Sequence, residues 1–158
     1  MRKGLVLLAG LVILALVNFG IYQRERLLTD GRVVLLRLAP VDPRSLMQGD
    51  YMRLNFEIAG QAFPSASAPK ADGHIVVRLD PNGVARFRRL GGARGLAPGE
   101  VALRYRIRGG QPNFATNAYF FEEGQAERYA GAAFGEFRVG PDGEMILTGL
   151  RGPRLEKL

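Results

Sequence analysis

At 158 residues the chain has room for one membrane segment and one small domain, and two full domains would be crowded. It has no cysteine, which excludes disulfides, thiolate metal sites and a cysteine nucleophile. Its 22 basic and 15 acidic residues give a formal net charge of +7, carried mostly by arginine, and His74 is the single histidine, so many catalytic constellations lack parts.

The first element is the run Gly4 to Tyr22, GLVLLAGLVILALVNFGIY, which holds no charge and would reach about 28 Å as a helix, close to the hydrocarbon thickness of a bilayer. It reads as a membrane-spanning helix. A cleaved signal peptide is the rival, but such peptides have an apolar core of about 7–15 residues and a small-x-small cleavage site. Neither Asn18-Phe19-Gly20 nor Ala15-Leu16-Val17 supplies that site. Arg2 and Lys3 with the terminal amine face Arg24 and Arg26 across the span, and the amine tips the count toward a signal-anchor with residues 23–158 outside. Asn18, near the end of the span, is expected to meet backbone or interfacial water rather than a partner helix.

The chain therefore divides into an anchor (1–22), a juxtamembrane linker (23–31), a β domain (32–150) and a tail (151–158). QRERLLTDG can extend the helix by a turn or two, with Asp30-Gly31 as its stop. Beyond it the spacing predicts strands over Arg32–Ala39, Tyr51–Ile58, His74–Asp80, Val84–Leu90, Glu100–Arg108, Ala133–Val139 and Glu144–Leu150. Two hairpins turn at Asp80-Pro81-Asn82-Gly83 and at Gly140-Pro141-Asp142-Gly143, where Pro sets φ and Gly or Asn accepts a positive φ. Ala59–Gly73 reads as a loop and Glu122–Ala132 as the place of a short helix. Seven short strands predict a mostly β domain, a β-sandwich or partly open barrel with one or two short helices, because doubling or closing the sheet buries one face of every strand.

The densest stretch is VDPRSLMQGDYMRLNFEI, Val41 to Ile58. Asp42 suits an N-cap, Pro43 the first position of a helical turn, RSLMQ the turn itself and Gly49 its stop. The strand that follows alternates, with Met52, Leu54, Phe56 and Ile58 toward the core and Tyr51, Arg53, Asn55 and Glu57 away from it. Asp50 shares the inward parity and is expected to act as a structural lock with backbone amides or Arg44. Gly49, Asp50, Tyr51 and Leu54, led by Pro40-Val41-Asp42-Pro43-Arg44, resemble the motif of the GDYXXLXY family of bacterial membrane-anchored proteins. YFFEEGQAERYA and RVGPDGEMILTGL are similar to that family's carboxy-terminal part. Phe56 departs from the motif, which has Tyr, and so argues against an essential hydroxyl there. The resemblance carries over no catalytic residue. It implies polytopic membrane proteins as partners, since members are often encoded beside them, and a place in the bacterial inner membrane.

Catalytic readings have little to stand on. Serine–lysine hydrolysis would need Ser45 and a lysine base, but Ser45 lies too near Gly49 and Lys70 sits in a Pro-rich loop. Ser45, His74 and Asp50 compose a triad only on paper. Glu122, Glu123 and Glu127 could serve a hydrolase working through acidic residues, the alternative function, although adjacent acids at a helix start also favour its dipole. No metal spacing, nucleotide motif or other cofactor signature occurs. The remaining signal is basic: Arg104, Arg106 and Arg108 share one strand face opposite Leu103, Tyr105 and Ile107, and Arg86 and Arg88 lie opposite Ala85 and Phe87. With the domain outside, nucleic acid is not an expected partner and anionic lipid or an envelope polymer becomes a candidate, the alternative being that the arginines form a solvated, aggregation-resistant sheet face. The expected function is thus that of a non-enzymatic, membrane-anchored envelope protein whose β domain binds or supports membrane proteins.

Overall fold

The computed structural model describes residues 2–39, 47–48, 51–64, 69 and 71–158. Helix α1, Arg2–Asp30, is one unbroken element. At 1.5 Å per residue its 29 residues reach about 43 Å. Its apolar side chains from Val6 to Tyr22 are exposed on all sides, which suits a nonpolar solvent rather than water. By length and composition, Val6–Asp30 is a helix that could cross a membrane. Asn18 donates Nδ2 to the Leu14 carbonyl at 2.8 Å, so its amide is satisfied within the helix as expected. The helix stops where anticipated: Gly31 N–H donates to Leu27 O at 3.0 Å and the chain turns directly into β1, Arg32–Arg37.

The rest is mostly β. In chain order come β2 (Met47–Gln48), β3 (Tyr51–Arg53), helix α2 (Glu57–Ala62), β4 (Gly73–Leu79), β5 (Ala85–Leu90), β6 (Glu100–Arg108), β7 (Gln111–Asn113), β8 (Ala118–Phe120), helix α3 (Ala126–Tyr129), β9 (Phe134–Val139) and β10 (Met145–Arg151). Among the described residues three sheets form, with strand orders β1-β9-β10, β2-β3-β8 and β5-β4-β6-β7. The named pairs are all antiparallel. β1 stitches the sheets together, because Leu35 bridges Val84 at one margin and Leu38 bridges Phe56 at the other. The result is a curled half-barrel, matching the expected partly open barrel. Val34, Leu36, Met52, Leu54, Phe56, Ile75, Val77, Leu103, Phe114 and Phe137 fill its core.

Both predicted hairpins are present. Asp80 Oδ1 accepts from Asn82 N at 2.9 Å and Val84 N at 3.0 Å, and Gly83 takes φ +80°. In the second turn Asp142 Oδ1 accepts from Glu144 N at 3.1 Å, and Gly143 takes φ +81°. The tip of this hairpin lies against β6, with Arg104 N donating to Gly143 O at 2.8 Å.

Three expectations need correction. The strand expected over Tyr51–Ile58 ends at Arg53, and Glu57–Ala62 is helical rather than strand and loop. The parity argument nevertheless holds, since Met52, Leu54, Phe56 and Ile58 are all buried. Ile58 and Ala62, four residues apart, bury one face of the helix, and Gln61 donates to Glu57 across its turn at 3.0 Å. A period of two and a period near four coincide over so short a run. Within RSLMQ, Met47–Gln48 form strand β2 paired with Tyr51–Met52 instead of a helical turn. Short strands β7 and β8 were not anticipated in residues 111–120, where Gln111-Pro112-Asn113 is too polar to read as strand. The expected short helix within Glu122–Ala132 is α3.

Candidate functional site

The base of α1 and the half-barrel enclose an open groove of about 1160 Å³. Gly20, Gln23, Arg24, Arg26, Leu27 and Asp30 form its helical wall, and Arg104, Arg106 and Arg108 project into it from β6. Strand alternation explains the second set, because Leu103 and Tyr105 are buried on the opposite face. The β9–β10 turn and the β7–β8 connection complete the lining. In that connection Ala115 adopts φ +56°, a left-handed conformation that costs an alanine about 1–2 kcal/mol.

The groove is charged on both sides of the ledger. Glu144 Oε1 accepts from Arg104 Nη1 at 2.5 Å and from Arg106 Nη2 at 2.7 Å, so one carboxylate serves two guanidinium groups. Arg26 faces Asp30 at 3.5 Å along the helix. The side chains of Arg24 and Arg108 make neither an ion pair nor a hydrogen bond with any described residue. Sequence periodicity put the three β6 arginines on one face, but the convergence of Glu144, Arg24 and Arg26 on them was missed. The only local signal for Glu144 is its place after the Gly140–Gly143 turn, whose docking on β6 is a long-range contact.

The second basic pair does not join this groove. β4 separates β5 from β6, Arg86 lies 3.8 Å from Asp80, and Arg88 is exposed beside the irregular register at Val76/Val77. The motif residues divide likewise. Asp42, Pro43, Arg44, Gly49 and Asp50, with the lock expected of Asp50, lie outside the described residues, as do Ser45 and Lys70. Tyr51 stands half-buried on the outer face with its ring 5.7 Å from that of Phe120, which is 74% exposed. Leu54 is buried, and the Phe56 ring packs edge-on to Phe137 at 5.4 Å. An apolar neighbour explains how a ring without a hydroxyl serves at that position.

Of the remaining candidates, His74 Nε2 lies 3.0 Å from the Asp142 carbonyl, which ties it to the hairpin tip. Glu122, Glu123 and Glu127 are exposed around the start of α3. Among the described residues no group of three His, Asp or Glu side chains is placed to hold a metal ion. Tyr119 is the described group whose acidity departs clearly from its ordinary value: burial, followed by interaction with the Tyr129 phenol, raises its pKa, and Arg128 partly opposes this. Its ring packs against Tyr129 at 5.1 Å, and the Phe121 ring lies 5.3 Å from Tyr129 on the same cluster.

The family model described as GDYXXLXY protein matches residues 13–150, from within α1 to the last residue but one of β10. No curated protein and no solved structure matches the chain.

Proposed function

The chain belongs to the GDYXXLXY family, and from that premise we propose that it is a single-pass protein of the bacterial inner membrane, whose extracytoplasmic β domain binds a polytopic membrane protein without catalysing a reaction. The observation that carries the reading is the junction of helix and domain. α1 enters β1 through Gly31 alone, and Arg138 of β9 donates to the Gly31 carbonyl at 2.9 Å. A spanning α1 would therefore hold the half-barrel at the membrane surface, where a membrane protein can reach its sides. Tyr51 and Phe120 supply an aromatic surface of the kind enriched at protein contacts.

Two measurements test this. The chain has no cysteine of its own, so Asn82→Cys at an exposed hairpin tip reports orientation cleanly. Labelling of intact spheroplasts by an impermeant maleimide is expected, and labelling only after lysis would refute an outside domain. Replacement of Phe120 by a photoreactive phenylalanine is expected to crosslink a polytopic membrane protein. Crosslinking no stronger than from Asn82 would refute the contact.

A further inference from the structure

We propose that the groove between α1 and β6 is a binding site for the headgroup of an anionic phospholipid. The inference goes beyond a protein partner and rests on the reading of α1 as a membrane anchor. Arg24, Arg26, Arg104, Arg106 and Arg108 line the groove against Asp30, Asp142 and Glu144, an excess of two positive charges in one concave surface. Glu144 is shared by two arginines, so its single charge leaves one of them uncompensated. Arg24 and Arg108 are uncommitted among the described residues. A guanidinium group presents a planar fork of donors that matches two phosphate oxygens at once, and arginine rather than lysine supplies all five cations.

Position selects the source of the phosphate. The helical wall runs from Gly20 to Asp30, about 15 Å along the axis. A hydrocarbon layer that ends near Tyr22 is followed by roughly 5–8 Å of headgroup region. The lower rim of the groove thus lies at the acyl boundary, with Arg24 about 3 Å and Arg26 about 6 Å beyond Tyr22 along the axis, within the headgroup region. A lipid can enter sideways with its chains still in the bilayer. The groove volume, about 1160 Å³, exceeds the roughly 300–1,000 Å³ of enclosed small-molecule pockets, as suits an open seat for a headgroup.

The test is native mass spectrometry of the full chain in mild detergent, titrated separately with short-chain phosphatidylglycerol, short-chain phosphatidylcholine and inorganic phosphate. One phosphatidylglycerol per chain is expected to bind in clear preference to phosphatidylcholine, and more weakly as salt is raised. Arg24→Gln with Arg108→Gln is expected to weaken it about 25-fold, since each cation near an anionic surface contributes about fivefold. Glu144→Gln is expected to strengthen it, because Arg104 and Arg106 lose their competing carboxylate. Equal binding of the two lipids, or no change in the double variant, would overturn the proposal. Inorganic phosphate binding as tightly as phosphatidylglycerol would overturn the lipid as ligand. Arg24→Gln alone changes a helix residue outside the β core, so it keeps the test decisive if the double variant fails to fold. Alkaline carbonate extraction separately tests the anchor: release of the chain would refute the membrane reading, whereas the detergent titration reads the groove itself.

Discussion

Arg138 Nη1 donates to the Gly31 carbonyl at 2.9 Å and so ties the carboxy-terminal end of the helix to the middle strand of the β1-β9-β10 sheet. The same glycine is closed to side chains, because a Cβ there would collide with the Leu27 carbonyl oxygen and press on the Arg138 Cβ at 3.1 Å. Gly31→Ala must displace backbone, and it is expected to change the angle between helix and domain. Distances between spin labels on α1 and β9 measure this. An unchanged distance distribution would show that the junction yields without cost.

Phe56 and Tyr51 are of opposite parity, and substitution should separate them. Phe56→Ala removes a buried ring packed on Phe137 and is expected to cost about 3–5 kcal/mol, a large share of the roughly 5–15 kcal/mol of a typical domain. Tyr51→Ala removes a half-buried ring on the outer face, and it is expected to cost less than Phe56→Ala. Thermal unfolding of the full chain in mild detergent compares them. Equal losses would contradict the assignment of the two faces.

Two carboxylates are each held by arginine in different surroundings. The Glu136–Arg151 pair, at 2.5 Å, has side chains 13% and 23% exposed, and Thr148 Oγ1 also reaches the Glu136 carboxylate at 3.3 Å. Glu136→Gln is expected to cost about 1–3 kcal/mol, because it leaves a largely covered guanidinium without its counter-charge. Glu144 is more exposed, so solvent screens its pairs and Glu144→Gln should cost less than about 1 kcal/mol. The same unfolding measurement, repeated at high salt, should find little salt dependence in the first difference.

Tyr119 gives a pH dependence of known sign. Burial raises its pKa above the ordinary value of 10.0, with the Tyr129 phenol acting in the same direction, so the folded state keeps a proton that the unfolded state has begun to lose. The associated stability is fully present below the unfolded value and falls as pH rises from there through the folded pKa. Tyr119→Phe is expected to flatten this alkaline loss. A wild-type unfolding midpoint no more sensitive to pH above about 10 than that of the variant would contradict it.

Much was legible locally. An uncharged run long enough for a bilayer needs no tertiary partner to be read, and the two Pro-and-Gly turns carry their own backbone chemistry, so α1 and both hairpins emerged in place. Alternation also assigned the buried face of β6, because a strand sends successive side chains to opposite sides whatever it pairs with, and it named Met52, Leu54, Phe56 and Ile58 as buried although only the first lies in a strand. The same parity argument assigned Asp50 an inward role, at a position outside the described residues.

Tertiary structure decided the rest, for two physical reasons. Short segments such as Glu57–Ala62, Met47–Gln48 and Ala118–Phe120 have too few residues for one period to win, so their form is set by what they pack or pair with. The groove, in turn, depends on chain closure. Arg24 and Arg108 lie far apart in sequence, and Glu144 reaches Arg104 across 40 residues only because the β9–β10 turn docks on β6. Charges on separate elements carry no shared pattern in the chain. The periodicity of β6 determined that its arginines would share a face, and only the placement of α1 and the hairpin against that face made it one wall of a site.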